Sequence, residues 1–154
     1  MIEIYDLIVV GGGRASNLAI AAANSGLKTA LIERDKLGGA CPNRGCVPSK
    51  LLIGFAEAAN NVREANRHFI DANLNSIDTA RIFKGVNEYV GGVDRRYEGR
   101  MIDAGVEFVR GEASFVGHKQ LAVEGRILTA ERIVIATGSR PSDSPFPDLP
   151  VWTS

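Results

Sequence analysis

The stretch YDLIVVGGGRASNLAIAAANSGLKTALIE, residues 5–33, decides the fold. Tyr5–Val10 is a short apolar run of strand length, and three consecutive glycines, Gly11–Gly13, follow where a strand must turn sharply. An Ala-rich segment and a second run, Thr29–Glu33, complete the pattern of strand, tight turn, helix, strand. Two such strands joined by a helix lie parallel, because the helix carries the chain back to the starting end of the sheet. Leu18, Ala21, Ala22 and Ser25 fall at helical spacing, with Gly26 where a helix C-cap belongs.

Beyond this unit, Leu51, Leu52, Phe55, Ala58, Ala59 and Val62 predict a helix from Ser49 to about Phe69 with its apolar face inward. A second helical stretch is predicted from Ile77 to Ala104, with Ile82, Val86, Tyr89 and Val93 on one face. After Val106 the period changes. Short β-branched runs divided by Gly111, Gly117 and Gly125 predict a small antiparallel element, closed by Arg132–Thr137 as a buried strand. Residues 140–154 hold four of the six prolines and predict an irregular linker. The expected fold class is α/β, a Rossmann-like parallel sheet with a small antiparallel element, spanning residues 1–140 with a linker over 141–154.

Composition narrows the function. The 154 residues are 45% hydrophobic, and 18 Lys and Arg balance 18 Asp and Glu, enough for one ordinary core and no basic track. Nucleic acid and membrane are therefore not expected partners, and small-molecule chemistry is. The start MIEIYDLIVV has no basic lead and no apolar run of spanning length, so a cytoplasmic protein is expected. In that compartment thiols stay reduced, which favours a catalytic or metal-binding role for the two cysteines over a structural staple.

A G-x-G turn between strand and helix brings backbone N–H groups and the positive helix end to a pyrophosphate, while an acidic residue closing the next strand meets ribose hydroxyls. Gly11, Gly13 and Glu33 suit those roles, and Ser16 stands where the third glycine of the fingerprint belongs. A carboxylate at Glu33 would repel a 2′-phosphate, so the expected ligand is NAD or FAD rather than NADP. The plainer alternative is a glycine turn with no nucleotide.

Both cysteines lie in GGACPNRGCVPSK, residues 38–50. A structural zinc needs four ligands, and only His68 and His118 accompany Cys41 and Cys46. Two inert core thiols are a second alternative. Cysteines five apart in a regular helix point apart, so a disulfide requires a distorted backbone with Cα atoms within about 7 Å, and Pro42 and Gly45 suit that distortion. A helix starting near Pro48–Ser49 would direct its positive end at the thiols, and Lys50 adds charge. The packaging favours a redox dithiol.

The stretch LGGACPNRGCVPSK resembles the active-site pattern G-G-T-C-x-x-x-G-C-[IV]-P-[ST]-K of the class I pyridine nucleotide–disulfide oxidoreductases, which include dihydrolipoamide dehydrogenase and the glutathione, mycothione and mercuric reductases. Ala40 in place of Thr is the one departure within it. YDLIVVGGG…ALIE and IVIATGSRP resemble, in order, the family's first FAD fingerprint and the closing motif of its flavin domain. The resemblance implies that Gly11, Gly13 and Glu33 hold FAD and that Gly39, Ala40, Cys41, Ala113, Thr137, Gly138 and Ser139 line it. It implies Cys41 as the interchange thiol, Cys46 as the thiol forming a charge-transfer complex with the flavin, and Lys50 near the reactive flavin edge.

The implied reaction passes electrons between NAD(P)H, FAD, the Cys41–Cys46 disulfide and a small-molecule or lipoyl disulfide, with dihydrolipoamide the first choice of substrate. Two further departures are Ser16 and an interval from the glycines to Glu33 one residue shorter than usual. The resemblance covers the front part of such an enzyme. It implies an NAD(P)-binding domain and a dimer-interface domain outside this chain, with a homodimer partner, and the isolated chain is expected to be incompetent alone. The alternative reading is a non-catalytic FAD-binding or thiol-redox module.

Overall fold

The structure, a computed structural model, describes residues 2–142. In chain order the elements are β1 (Ile2–Val10), α1 (Ser16–Asn24), β2 (Thr29–Glu33), α2 (Ala40–Arg44), α3 (Cys46–Glu64), α4 (Thr79–Gly91), α5 (Val93–Asp103), β3 (Glu107–Arg110), β4 (Ser114–Gly117), β5 (Gln120–Val123) and β6 (Arg126–Ile135). They divide into two compact units, residues 2–40 with 93–142, and residues 41–92.

The first unit is built on one six-stranded sheet of order β3-β2-β1-β6-β5-β4. β3, β2, β1 and β6 run parallel, and β5 and β4 continue antiparallel. The expected α/β sheet with a small antiparallel element is therefore present. One face buries Tyr5, Ile8, Ile32 and Val109 of the parallel strands together with Leu121 and Val123 of β5. The other buries Leu7, Val9 and Leu31 beneath α1 and α5, with Ala19, Ala22, Leu37 and Met101. Burial of a Leu, Ile or Val side chain contributes about 1.5–3 kcal/mol, so these two clusters carry the unit's stability.

The face of α1 turned to the sheet is Ser16, Ala19 and Ala22, while Leu18 is 47% exposed. Small side chains lie at this contact, and hydrophobicity alone misassigns the larger leucine. Gly26 does end the helix, with φ +87° and Leu27 N–H donating to the Ala22 carbonyl. The single stretch Ile77–Ala104 is two helices, α4 and α5, separated at Gly92, so Tyr89 and Val93 do not share a face, and Tyr89 is exposed. The helix after the cysteines begins at Cys46 rather than Ser49, since Pro48 needs no N–H in a first turn.

In the unit 41–92, α3 packs on α4 and continues into a 3-10 turn at Ala65–His68. No residue of α3 is buried, against the expected inward face. Phe55, Ala58, Ala59 and Val62 instead line an open groove with Leu74, Ile77 and Ile82. The closing strand is longer than expected, Arg126–Ile135, and Ile135 is exposed rather than buried. The linker assigned to 141–154 lies outside the described residues except for Pro141 and Ser142, which are irregular.

Candidate functional site

In the first unit β1 ends at Val10, and Gly11 turns the chain with φ +113°. A Cβ there would stand 2.2 Å from the Ala136 carbonyl oxygen and 3.1 Å from the Thr137 nitrogen, so only glycine fits between the ends of β1 and β6. Gly11 N–H donates to the Ile32 carbonyl (2.8 Å) and Ala136 N–H to the Val10 carbonyl (2.8 Å), which clamps the turn from both sides. Gly13 lies against Gly39, where a Cβ on Gly39 would come within 3.0 Å of the Gly13 Cα.

Glu33 closes β2 beside this turn. Its carboxylate accepts from Gly12 N–H and Asp35 N–H, both at 2.8 Å. The group is half-buried and keeps lone pairs for further donors. Its backbone carbonyl accepts from Gly111 N–H, which sets the segment leading to Ala113 next to β2. Ala113 itself packs on the cluster of Tyr5, Ile8 and Val109. Thr137, Gly138 and Ser139 follow β6 as exposed loop residues, and Ala40 is exposed beyond Gly39.

The N–H groups of Gly13, Arg14 and Ala15 donate to no protein acceptor among the described residues. Ala15 caps the helix without a side-chain bond, and the first turn has no acidic residue. Ser16 is 1% exposed and its hydroxyl has no partner, a defect that costs about 1–3 kcal/mol in a protein interior. Unpaired donors at a positive helix end fit an anion. The residues present therefore fit a dinucleotide pyrophosphate with a ribose toward Glu33.

The unit 41–92 contains Cys41, Cys46 and Lys50. Cys41 and Cys46 are disulfide-bonded, with Cα atoms 4.8 Å apart. The approach arises because α2 ends at Arg44 and the backbone leaves the helical region at Gly45 (φ −123°, ψ −113°) before α3 starts at Cys46. Both cysteines are exposed, as is Lys50 one turn into α3. Cys46 is the first residue of a 19-residue helix. Ser49 donates its hydroxyl to the Gly45 carbonyl (2.9 Å), which steadies that first turn. A sulfur leaving the disulfide as thiolate at this end meets the positive pole of the helix, which favours the anion. Among the described residues no group of three or more His, Cys, Asp and Glu side chains could hold a metal ion.

Several positioning residues escape the G-x-G formula. Gly12 accepts from Gly38 N–H (2.8 Å), and a Cβ at Gly12 would collide with Leu37 at 2.4 Å. Leu37 N–H in turn donates to Asp94 on α5 (2.7 Å). The run of three glycines and the pair Gly38–Gly39 carry a trace of this packing, whereas nothing in the sequence links Asp94 to Leu37.

Similarity to known proteins follows the same segments. Residues 5–153 match the family model described as pyridine nucleotide-disulphide oxidoreductase. The dihydrolipoyl dehydrogenase of Chlamydia pneumoniae is 37% identical over 154 residues, covering 97% of this chain and 33% of that protein. The mercuric reductase of Bacillus cereus is 35% identical, covering 95% of this chain and 23% of that protein. The glutathione reductase of Schizosaccharomyces pombe is 35% identical, covering 90% and 32%. The chain thus spans a third or less of the length of these relatives. With the family match running over nearly its whole length, the chain belongs to the pyridine nucleotide-disulphide oxidoreductases.

Proposed function

We propose that residues 1–140 form the FAD-binding part of an NAD(P)H:disulfide oxidoreductase of the dihydrolipoyl dehydrogenase kind, with 141–154 leading toward an NAD(P)-binding part. Enzymes of this family use FAD and NAD(P)H. When bound, FAD supplies hydride exchange with the nicotinamide and two-electron exchange with the disulfide. The chain's own residues hold and direct that chemistry. The turn Gly11–Gly13 and the start of α1 would receive the pyrophosphate, Glu33 the adenosine ribose, and Gly39, Ala40, Ala113 and Thr137–Ser139 would line the cofactor.

The observation that carries the reading is the Cys41–Cys46 disulfide, formed across the break at Gly45 with Cys46 opening α3. Two electrons and two protons convert it to two thiols. Cys41 as thiolate attacks a substrate disulfide, forms a mixed disulfide and expels one substrate thiol. Cys46 as thiolate then attacks the Cys41 sulfur, expels the second substrate thiol and restores the Cys41–Cys46 bond. The reverse sequence oxidises a dithiol substrate. Lys50, in the first turns of α3 with Cys46, favours the anionic partner in either direction.

Support for dihydrolipoamide as substrate comes from the dihydrolipoyl dehydrogenases among the relatives, which are 32–38% identical, a range that overlaps the 32–35% of the mercuric and glutathione reductases. A homodimer partner and a cytoplasmic location belong to the same reading, and no helix among the described residues is long and apolar enough to cross a membrane. A second reading is a non-catalytic FAD-binding or thiol-redox module, for which the exposed Cys41–Cys46 disulfide would suffice.

The visible spectrum of the chain reconstituted with FAD tests both. A bound-flavin band that gains a long-wavelength shoulder on reduction with dithiothreitol supports the flavin-linked dithiol. NAD(P)H-driven disulfide reduction by the chain would exclude the non-catalytic module. Failure to retain FAD would remove the proposed function.

A further inference from the structure

The loop of residues 34–39 leaves β2 beside the glycine turn, and two residues distant in sequence close a ring of hydrogen bonds on it. Arg110, at the end of β3, donates through Nη1 to the Asp35 carbonyl (2.5 Å) and through Nη2 to Oδ2 of Asp94 (2.8 Å). Asp94, in the first turn of α5, accepts with Oδ1 from Leu37 N–H (2.7 Å). Both oxygens of the carboxylate and two arms of the guanidinium are thereby used. The planar fork of arginine fixes the angle between its two acceptors, which a lysine ammonium would not.

The ring ends on the carboxylate of Glu33. Glu33 Oε1 accepts from Asp35 N–H and Oε2 from Gly12 N–H, both at 2.8 Å. Asp35 is the residue whose carbonyl Arg110 grips, and Gly12 is the residue against which the buried Leu37 side chain packs. Each donor that orients Glu33 is therefore placed by a residue that Arg110 or Asp94 ties down. From this geometry we infer that Asp94 and Arg110 are positioning residues for recognition of the adenosine ribose. They act through Glu33, keeping its carboxylate turned so that the remaining lone pairs meet the ribose hydroxyls. The inference rests on the FAD reading above, in which Glu33 receives that ribose, and it extends the reading to two residues outside the dinucleotide fingerprint. The Arg110 and Asp94 side chains are 43% and 30% exposed, and ion pairs so open to water add little to folding. Their loss should thus register in binding more than in stability.

The test compares wild type, Asp94→Ala, Arg110→Ala and the double variant of the 154-residue chain. FAD binding is followed by flavin fluorescence, and binding of ADP and 2′,3′-dideoxy-ADP by calorimetry. Wild type should prefer ADP over the dideoxy nucleotide by about tenfold, as hydrogen bonds to a carboxylate require. Each single variant should cut that preference by about fivefold, through weaker ADP binding with the dideoxy nucleotide nearly unchanged, and should weaken FAD by the same factor. The double variant should lose no more than either single one, because the ring is broken once. Asp94→Asn keeps an acceptor for Leu37 N–H and should fall between wild type and Asp94→Ala, which keeps the test intact if an alanine variant folds poorly.

An unchanged preference in the variants overturns the inference. Equal losses for the two nucleotides also overturn it, since they would make the ring a structural tie with no bearing on the ribose. Losses that add in the double variant would separate the two residues and overturn the ring. Wild-type protein that binds neither FAD nor ADP overturns the cofactor reading and this inference together, and FAD binding with no preference for ADP removes the ribose role of Glu33 and the inference with it. Wild-type preference that every variant retains overturns the role of Asp94 and Arg110 alone.

Discussion

Residues 11–39 hold their functional backbone by steric closure and hydrogen bonds, whereas residues 41–92 hold theirs by a covalent bond and local helix formation. Around the glycine turn Gly11, Gly13 and Gly39 approach backbone and Gly12 approaches the side chains of Leu37 and Glu33, and two buried clusters lie on the sheet behind it. In the unit 41–92, Val86 is the only buried residue. The glycine turn is thus held by the protein's own packing, while the disulfide sits where local opening costs little. Under the proposed function, the redox couple that must break and reform its bond lies on the second kind of scaffold, and the cofactor clamp on the first.

The largest effect should come from the rigid side. Gly11→Ala drives a Cβ into the Ala136 carbonyl at an unfavourable φ, and urea melts should show roughly 3–5 kcal/mol of lost stability. A loss below 1 kcal/mol would show that the turn is adaptable and erase the contrast. Next, opening the disulfide with dithiothreitol or Cys46→Ser should cost about 2 kcal/mol by the loop-entropy rule. Hydrogen exchange should then quicken in α3 and α4 and stay unchanged in β1, β2 and β6; equal acceleration throughout would mean that the two units are one cooperative body.

Glu33→Gln keeps one acceptor oxygen but presents an amide to the N–H groups of Gly12 and Asp35. It should destabilise the ligand-free chain by about 1–2 kcal/mol. The smallest effect is electrostatic. At the outer end of the sheet Arg126 pairs with Glu3 and Glu107, and Tyr5 donates to Glu107 at 2.6 Å. The Arg126 hydrogen bond holds the Glu3 carboxyl down at about 2, and the Tyr5 hydroxyl, then Arg126, lowers Glu107. Burial, then the two carboxylates, raises Tyr5. Depressed carboxyls bind fewer protons folded than unfolded, so this stability is present above about pH 4.5 and lost as pH falls toward 2. Arg126→Ala should flatten that part of the stability–pH curve, and an unaltered slope would assign the acid sensitivity elsewhere.

How far the sequence revealed the molecule differs between the two regions for the same physical reason. Where backbone sterics decide, residue identity is enough. Gly11 at the turn after β1, Glu33 at the end of β2 and Gly26 after α1 announce their places in the fold through conformations and groups that few other residues supply. Where packing decides, hydrophobicity misleads: Leu18 faces outward because the contact with the sheet holds only Ser16, Ala19 and Ala22. Phe55 and Ile135 are apolar but exposed, so their burial could not be inferred from character. The cysteine pair was legible as a couple from Pro42 and Gly45, yet the start of α3 at Cys46 was not, because Pro48 signals equally a helix start or a first turn. The tie from Asp94 to Leu37 spans 57 positions and leaves no local trace.

The central claim is that the two sulfurs serve a bound flavin in different roles. Its most direct test is the visible spectrum of Cys41→Ser and Cys46→Ser, each loaded with FAD and without reductant. Cys41→Ser leaves Cys46 as the single thiol and should show a long-wavelength shoulder that grows as pH rises and the thiolate forms, while Cys46→Ser should show the flavin band alone. Identical spectra from the two variants would contradict the assignment.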